Sequence, residues 1–186
     1  CPFCREHIPT SQEEADRNRM KRIEVNDPVA IRQMGARYCS EGDYKSAFQY
    51  YTKAAELGDV GAHYELSLMY RDGKVVEKDK EKELYLLEQA AIRGHPFARH
   101  NLGCAEWKND RHDRAMKHFI IAAKLGHDNS LGALKLGFQR GLVSKEDFAA
   151  ALRAHQAAVD ATKSAHREAV EAALQMSKAA KELAKR

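Results

Sequence analysis

The chain has 186 residues, 44% of them apolar and 31% charged, with 31 Lys and Arg against 27 Asp and Glu for a net charge of +4. That length suits one compact domain or one short repeat array, and the near balance of charge gives no reason to expect a nucleic-acid partner. No apolar run approaches the ~20 residues of a membrane span, no apolar leader opens the chain, and four cysteines point to a reducing, cytoplasmic or nuclear setting over a disulfide scaffold.

The first element is Cys1-Pro2-Phe3-Cys4-Arg5. A C-x-x-C turn presents two thiolates to one zinc, and zinc takes four ligands. His7 adds a third candidate at best, and Cys39 and Cys104 stand alone far downstream. The C-P-x-C-R pattern resembles the last cysteine pair of a RING-type zinc finger. That resemblance implies that residues 1–10 are the edge of a module completed upstream. Cys1 and Cys4 then hold zinc only in a longer parent, and the fragment itself has no cofactor. The first residue is not methionine, which agrees with a piece of a longer protein. A redox C-x-x-C belongs in a βαβ unit, and strand signals are nearly absent. Residues 11–27 follow as a linker, with Ser11–Val25 a polar helix.

From residue 28 the chain is periodic. Ala54, Ala55 and Gly58, then Ala90, Ala91 and Gly94, then Ala122, Ala123 and Gly126 repeat one spacing, Ala-Ala-x-x-Gly. A recurrence at this interval signals a stacked array. Four residues after each glycine comes a small residue (Ala62, Ala98, Ser130), and four further on a leucine (Leu66, Leu102, Leu134). Upstream, Ala30 and Met34 share the phase, and Tyr38, Tyr70 and Phe138 lie on the next turn. Small, leucine and aromatic residues at i, i+4 and i+8 form one helix face. A turn and a second helix follow, ended by a glycine that accepts the left-handed conformation. The paired alanines let a neighbouring helix approach closely.

The run Ala-x-x-x-Leu-Gly-x-x-Tyr, a glycine-containing turn and Lys-Ala-Ala-x-x-Gly resemble the Sel-one-like repeat, a relative of the tetratricopeptide repeat. Residues 28–59, 60–95 and 96–128 fit as full repeats and 129–160 as a fourth without the Ala-Gly ending, together about seven tenths of the chain. Ser67 in place of glycine, Glu106 in place of tyrosine and the glycine-free turn at residues 109–113 depart from the pattern. The resemblance implies an all-α, right-handed α-solenoid of helix-turn-helix repeats with a long C-terminal helix, and first helices that line a concave surface. In tetratricopeptide repeats the groove-facing positions lie two, six and nine residues after the one aligned with Ala30. Carried over, they are Arg32, Ala36 and Cys39, then Tyr64, Leu68 and Arg71, then His100, Cys104 and Trp107. Arginine and aromatic residues are enriched where binding energy concentrates. A core role for Trp107, filling space vacated at Glu106, is the competing expectation.

Residues 144–186 lack Gly and Pro and are rich in helix formers. Ser144 before Lys145, Glu146 and Asp147 reads as an N-cap, and Phe148, Leu152 and Val159 as the face that closes the array. Residues 161–186 form a helical tail carrying six basic and three acidic residues, a solvated face more than a nucleic-acid or membrane contact. Cys39 and Cys104 read as small apolar packers, and His95 and His127 as loop residues. No catalytic constellation stands out. The expected function is a non-catalytic scaffold that holds a protein or peptide in its groove. The rival expectation is the substrate-recognition part of a RING-type ubiquitin ligase, with a ubiquitin-conjugating enzyme bound by the parent's zinc finger.

Overall fold

The computed structural model describes residues 11–162 and residue 170. Cys1, Cys4 and all but Val170 of the tail beyond Thr162 lie outside the described residues. Among the described residues every regular element is an α-helix. In order these are α1 (Gln12–Glu24), α2 (Pro28–Glu41), α3 (Tyr44–Glu56), α4 (Val60–Asp72), α5 (Lys80–Ile92), α6 (Pro96–Lys108), α7 (His112–Lys124) and α8 (Asp128–Gln139). A further helix, α9, covers residues 145–162. The chain divides into two compact units, Cys1–Ala98 and Arg99–Arg186.

The recurring Ala-Ala-x-x-Gly is a helix C-terminus followed at once by a helix N-terminus. Gly58, Gly94 and Gly126 share φ +88, where a β-carbon would be strained. Gly58 N–H donates to Ala55 O at 2.9 Å and Asp59 N–H to Ala54 O at 2.9 Å, the paired bonds that satisfy two orphan carbonyls at a helix end. Gly94 with Ala91 and His95 with Ala90, then Gly126 with Ala123 and His127 with Ala122, repeat them. The residue after the glycine then caps the next helix. Asp59 Oδ1 accepts from Ala62 N–H at 2.6 Å, His95 Nδ1 from Ala98 N–H at 3.3 Å, and His127 Nδ1 from Ser130 N–H at 3.2 Å. His95 and His127 thus lie in the connections after the glycines, as expected, and also cap the next helices, a role the sequence reading did not give them; a neutral ring nitrogen accepts a hydrogen bond as a carboxylate does.

Within unit 1, α2 packs on α3, α3 on α4, and α4 on α5. Small residues on first helices receive large ones from second helices. A β-carbon on Gly35 would stand 2.7 Å from the Tyr51 ring, and Tyr51 is 2% exposed. At the equivalent positions of the next repeat the pair is Ser67 and Leu87, both fully buried. Leucine lacks the ring that excludes a side chain there, so serine fits, with its Oγ donating to Tyr64 O at 2.6 Å. Tyr38 stacks on Tyr50 and Phe48 meets Tyr70 edge-on. The polar helix expected over Ser11–Val25 is α1, and Ser11 caps it.

Unit 2 repeats the device. A β-carbon on Gly103 would lie 2.6 Å from Phe119. The turn that lacks glycine uses Asp110 at φ +57 instead, a conformation that aspartate tolerates better than most residues. Glu106, the departure from tyrosine, is buried and ion-paired with Arg111 and with Arg114, the latter at 3.1 Å. Ser144 Oγ accepts from Asp147 N–H at 3.0 Å, as expected for the α9 N-cap. The closing face differs from expectation: Leu152 is 47% exposed, whereas Ala151 and His155 are buried beside the half-buried Phe148. Phe148, Ala151 and His155 follow i, i+3, i+7, and the polar histidine hid that stripe. His155 Nε2 is held by Asp128 Oδ1 at 2.9 Å.

Candidate functional site

The expected groove residues of unit 1 fall on α2 and α4, where the helix period puts i, i+4 and i+7 on one face. They do different things. Arg32 is engaged: its Nε lies 2.8 Å from Asp59 Oδ1, and it occupies the space a side chain at Gly61 would need. Arg71 is exposed and pairs with its neighbour Asp72 at 3.0 Å. Ala36 is exposed. Tyr64 stacks on His95 with centroids 4.5 Å apart and lies 6.0 Å from Phe97, which is exposed. Cys39 and Leu68 come together on a small cavity of about 150 Å³ that also holds Tyr51 and Glu65. Burial pushes the Glu65 carboxyl above its ordinary range, with the Arg32 charge opposing, and burial likewise raises the Tyr51 phenol.

In unit 2 the three expected residues lie on α6 and share a neighbourhood. His100 faces inward. Its Nδ1 is 2.7 Å from Ser130 Oγ, and its ring lies 4.4 Å from His127 and 5.3 Å from Phe119. Burial lowers the His100 pKa, helped by His127. Cys104 Sγ is 3.5 Å from His100 Nε2, but burial raises its thiol, so the pair is neutral and not an activated nucleophile. Cys39 and Cys104 are free thiols packed at the margins of the two cores, in line with their reading as apolar packers. Among the described residues no group of three or more His, Cys, Asp and Glu is arranged to hold a metal.

Trp107 is half-buried and lies at the edge of the unit 2 core, against which it packs with Cys104. Glu106 beside it is buried and ion-paired with Arg111 and Arg114. The Trp107 ring meets His112 at 4.2 Å, and the Arg140 guanidinium stands 5.7 Å over it. Together Cys104 and Trp107 wall a cavity of about 390 Å³ whose floor is Met116 and Phe119 of α7 and Ala133 and Leu136 of α8. Lys108 and Arg140 stand at its rim. Sequence reasoning named only the α6 wall. The floor comes from neighbouring helices, and Leu136, a leucine 58% exposed on α8, carries a signal of its own. Phe97, directly after the helix-opening Pro96, was also missed, although an exposed phenylalanine beside a capping residue could have marked it.

These features define a class: an all-α solenoid of helix-turn-helix repeats. Residues 28–59, 60–95 and 108–127 match the Sel1 repeat, so the chain carries Sel1-like repeats over these residues. The third match begins at residue 108, after Glu106, the one departure on α6. The fold is similar to the crystal structure of a Sel1 repeat protein from Oxalobacter formigenes (25% identity, TM-score 0.56, 63% of this chain and 95% of that one). It is also similar to c5321, a protective antigen of uropathogenic Escherichia coli with the SLR fold (22% identity, TM-score 0.59, 82% of this chain and 34% of that one). Two curated relatives, both named DAP3-binding cell death enhancer 1, come from Rattus norvegicus and Mus musculus. They are 23% and 24% identical over 77% and 78% of this chain. The chain spans about a third of the length of these relatives, 36% in each case. Among the described residues no helix is long and apolar enough to cross a membrane.

Proposed function

We propose that this chain is a non-catalytic scaffold that binds a protein or peptide partner through the exposed faces of its first helices. The observation that carries the reading is the apolar cavity walled by Cys104 and Trp107, with cationic side chains at its rim. An aromatic anchor site edged by charge is what protein recognition uses. The Sel1 repeat match points the same way, as does the name of the two relatives, which calls them DAP3-binding. Glu65 and the His100–Cys104 pair owe their shifted pKa values mainly to burial, and they do not converge on a reactive atom.

The test is capture of partners on the immobilised chain, identified by mass spectrometry and repeated with Tyr64→Ala, Leu68→Ala and Trp107→Ala. Each variant is to keep its helicity and lose part of the captured set. An identical set from all three overturns the groove as the binding face.

A second reading rests on Cys1-Pro2-Phe3-Cys4-Arg5 alone: in a longer parent, the repeats choose the target of a zinc-finger ubiquitin ligase. Autoubiquitination by a zinc-loaded parent supports it, and its absence there removes it.

A further inference from the structure

We propose that the cavity between α6, α7 and α8 is an anchor pocket for one aliphatic or aromatic side chain of a partner peptide, flanked in that peptide by carboxylates received by Lys108 and Arg140. This rests on the scaffold reading above and names the chemistry of its partner.

Three features combine. The cavity, about 390 Å³, falls in the ~300–1,000 Å³ range of ligand sites. Its floor of Met116, Phe119, Ala133 and Leu136 offers no hydrogen-bonding group, so the element that fills it is apolar. Its rim is of one sign, with two cations and no carboxylate among the described residues that line it. The Arg140 guanidinium is held over the indole of Trp107 at 5.7 Å, a cation–π contact that places it at the cavity mouth before any ligand arrives. Its planar donors match a carboxylate bidentately, and Lys108 supplies a second, mobile charge. A basic peptide would leave these charges facing like charges, so the rim excludes as well as attracts.

Phosphate would also suit the cations, but single-stranded nucleic acid needs bare aromatic rings for its bases. The Trp107 ring already carries His112 at 4.2 Å and the Arg140 guanidinium, and the floor is mostly aliphatic.

Trp107 is the chain's single tryptophan, so its fluorescence reports on the pocket. The full chain is titrated with a capped peptide, Gly-Gly-Asp-Glu-Leu-Asp-Glu-Gly-Gly, with the same peptide carrying alanine for leucine, with one carrying lysine for all four acids, and with a single-stranded oligothymidylate. The leucine peptide is expected to shift the emission saturably, and each peptide change to weaken it about tenfold or more. Lys108→Glu with Arg140→Glu, both exposed positions, is expected to keep helicity and to reverse the preference toward the lysine peptide. The proposal is overturned if the charge-reversed variant binds the acidic peptide as well as the wild type does. It is overturned also if no peptide shifts the emission, or if oligothymidylate alone does, which marks a nucleic-acid site. Partner capture that survives Lys108→Glu/Arg140→Glu but is lost in Tyr64→Ala sinks this pocket and leaves the scaffold standing. Capture unchanged in every groove variant sinks the scaffold itself.

Discussion

Arg32 Nε on α2 lies 2.8 Å from Asp59 Oδ1, the same oxygen that accepts the Ala62 N–H at 2.6 Å. One carboxylate thus caps α4 and ties it to the helix one repeat earlier, with Asp59 almost fully buried. Asp59→Ala removes both and is expected to cost about 1–3 kcal/mol, the upper end requiring the now unpaired guanidinium. Asp59→Asn keeps a capping oxygen and loses only the charge, so it is to cost less than half as much. Urea denaturation of the three proteins checks the order, and equal losses would mean the cap alone matters.

The Gly103 and Phe119 pair predicts a compensated double variant. Gly103→Ala puts a methyl 2.6 Å from the ring and is expected to destabilise unit 2 by about 1–3 kcal/mol through overpacking. Phe119→Leu imitates the Ser67 and Leu87 solution of the preceding repeat. The double variant should be more stable than the sum of the single losses, with a coupling of about 0.5 kcal/mol or more in a double-mutant cycle.

Asp110 stands at φ +57 where the other repeats place glycine at positive φ. Asp110→Gly relieves the β-carbon strain but adds freedom to the unfolded chain. The net is expected to be a gain of up to about 1 kcal/mol, read as a higher thermal midpoint.

Unit 2 should lose stability in mild acid. Burial holds His100 below its ordinary 6.5, and His127 adds to that; burial also lowers His127, with Asp128 opposing and His155 assisting. A base with a depressed folded pKa leaves the unfolded chain binding more protons below 6.5. Stability is therefore full above about pH 6.5 and falls as pH drops through the lowered folded values. Protonation also takes away the Nδ1 acceptor that caps α8 through the Ser130 N–H. The urea midpoint is expected to fall between pH 7.5 and pH 5, and His127→Asn, a competent cap without a titrating ring, is to flatten that slope.

The repeat, its period and its helix boundaries were legible in the residues because helix termini are local events. Ala-Ala-x-x-Gly writes the hydrogen bonds of a helix end into six consecutive positions, and small residues at i with leucine at i+4 write the buried face. The C-terminal closing face was misread because the i, i+3, i+7 row runs through His155, a polar residue that stands 2.9 Å from Asp128. Of the cavity's lining only Cys104 and Trp107 were legible, since they share the face of one helix. The rest was not, because no spacing within α6 says that Met116, Phe119, Ala133 and Leu136 will stand opposite.

What the amino-acid order determined by itself was therefore everything carried by neighbours along the chain: all-α character, the glycine stops, the capped starts and the faces available for packing. What tertiary structure decided was which of those faces stays open and what edges it. Arg32, by position a groove residue, is spent on Asp59, while Arg140, with no motif to mark it, stands over Trp107. The reason is physical: capping and helix geometry depend on bonds a few residues apart, whereas a charge's partner and a cavity's floor depend on helices brought together from distant parts of the sequence.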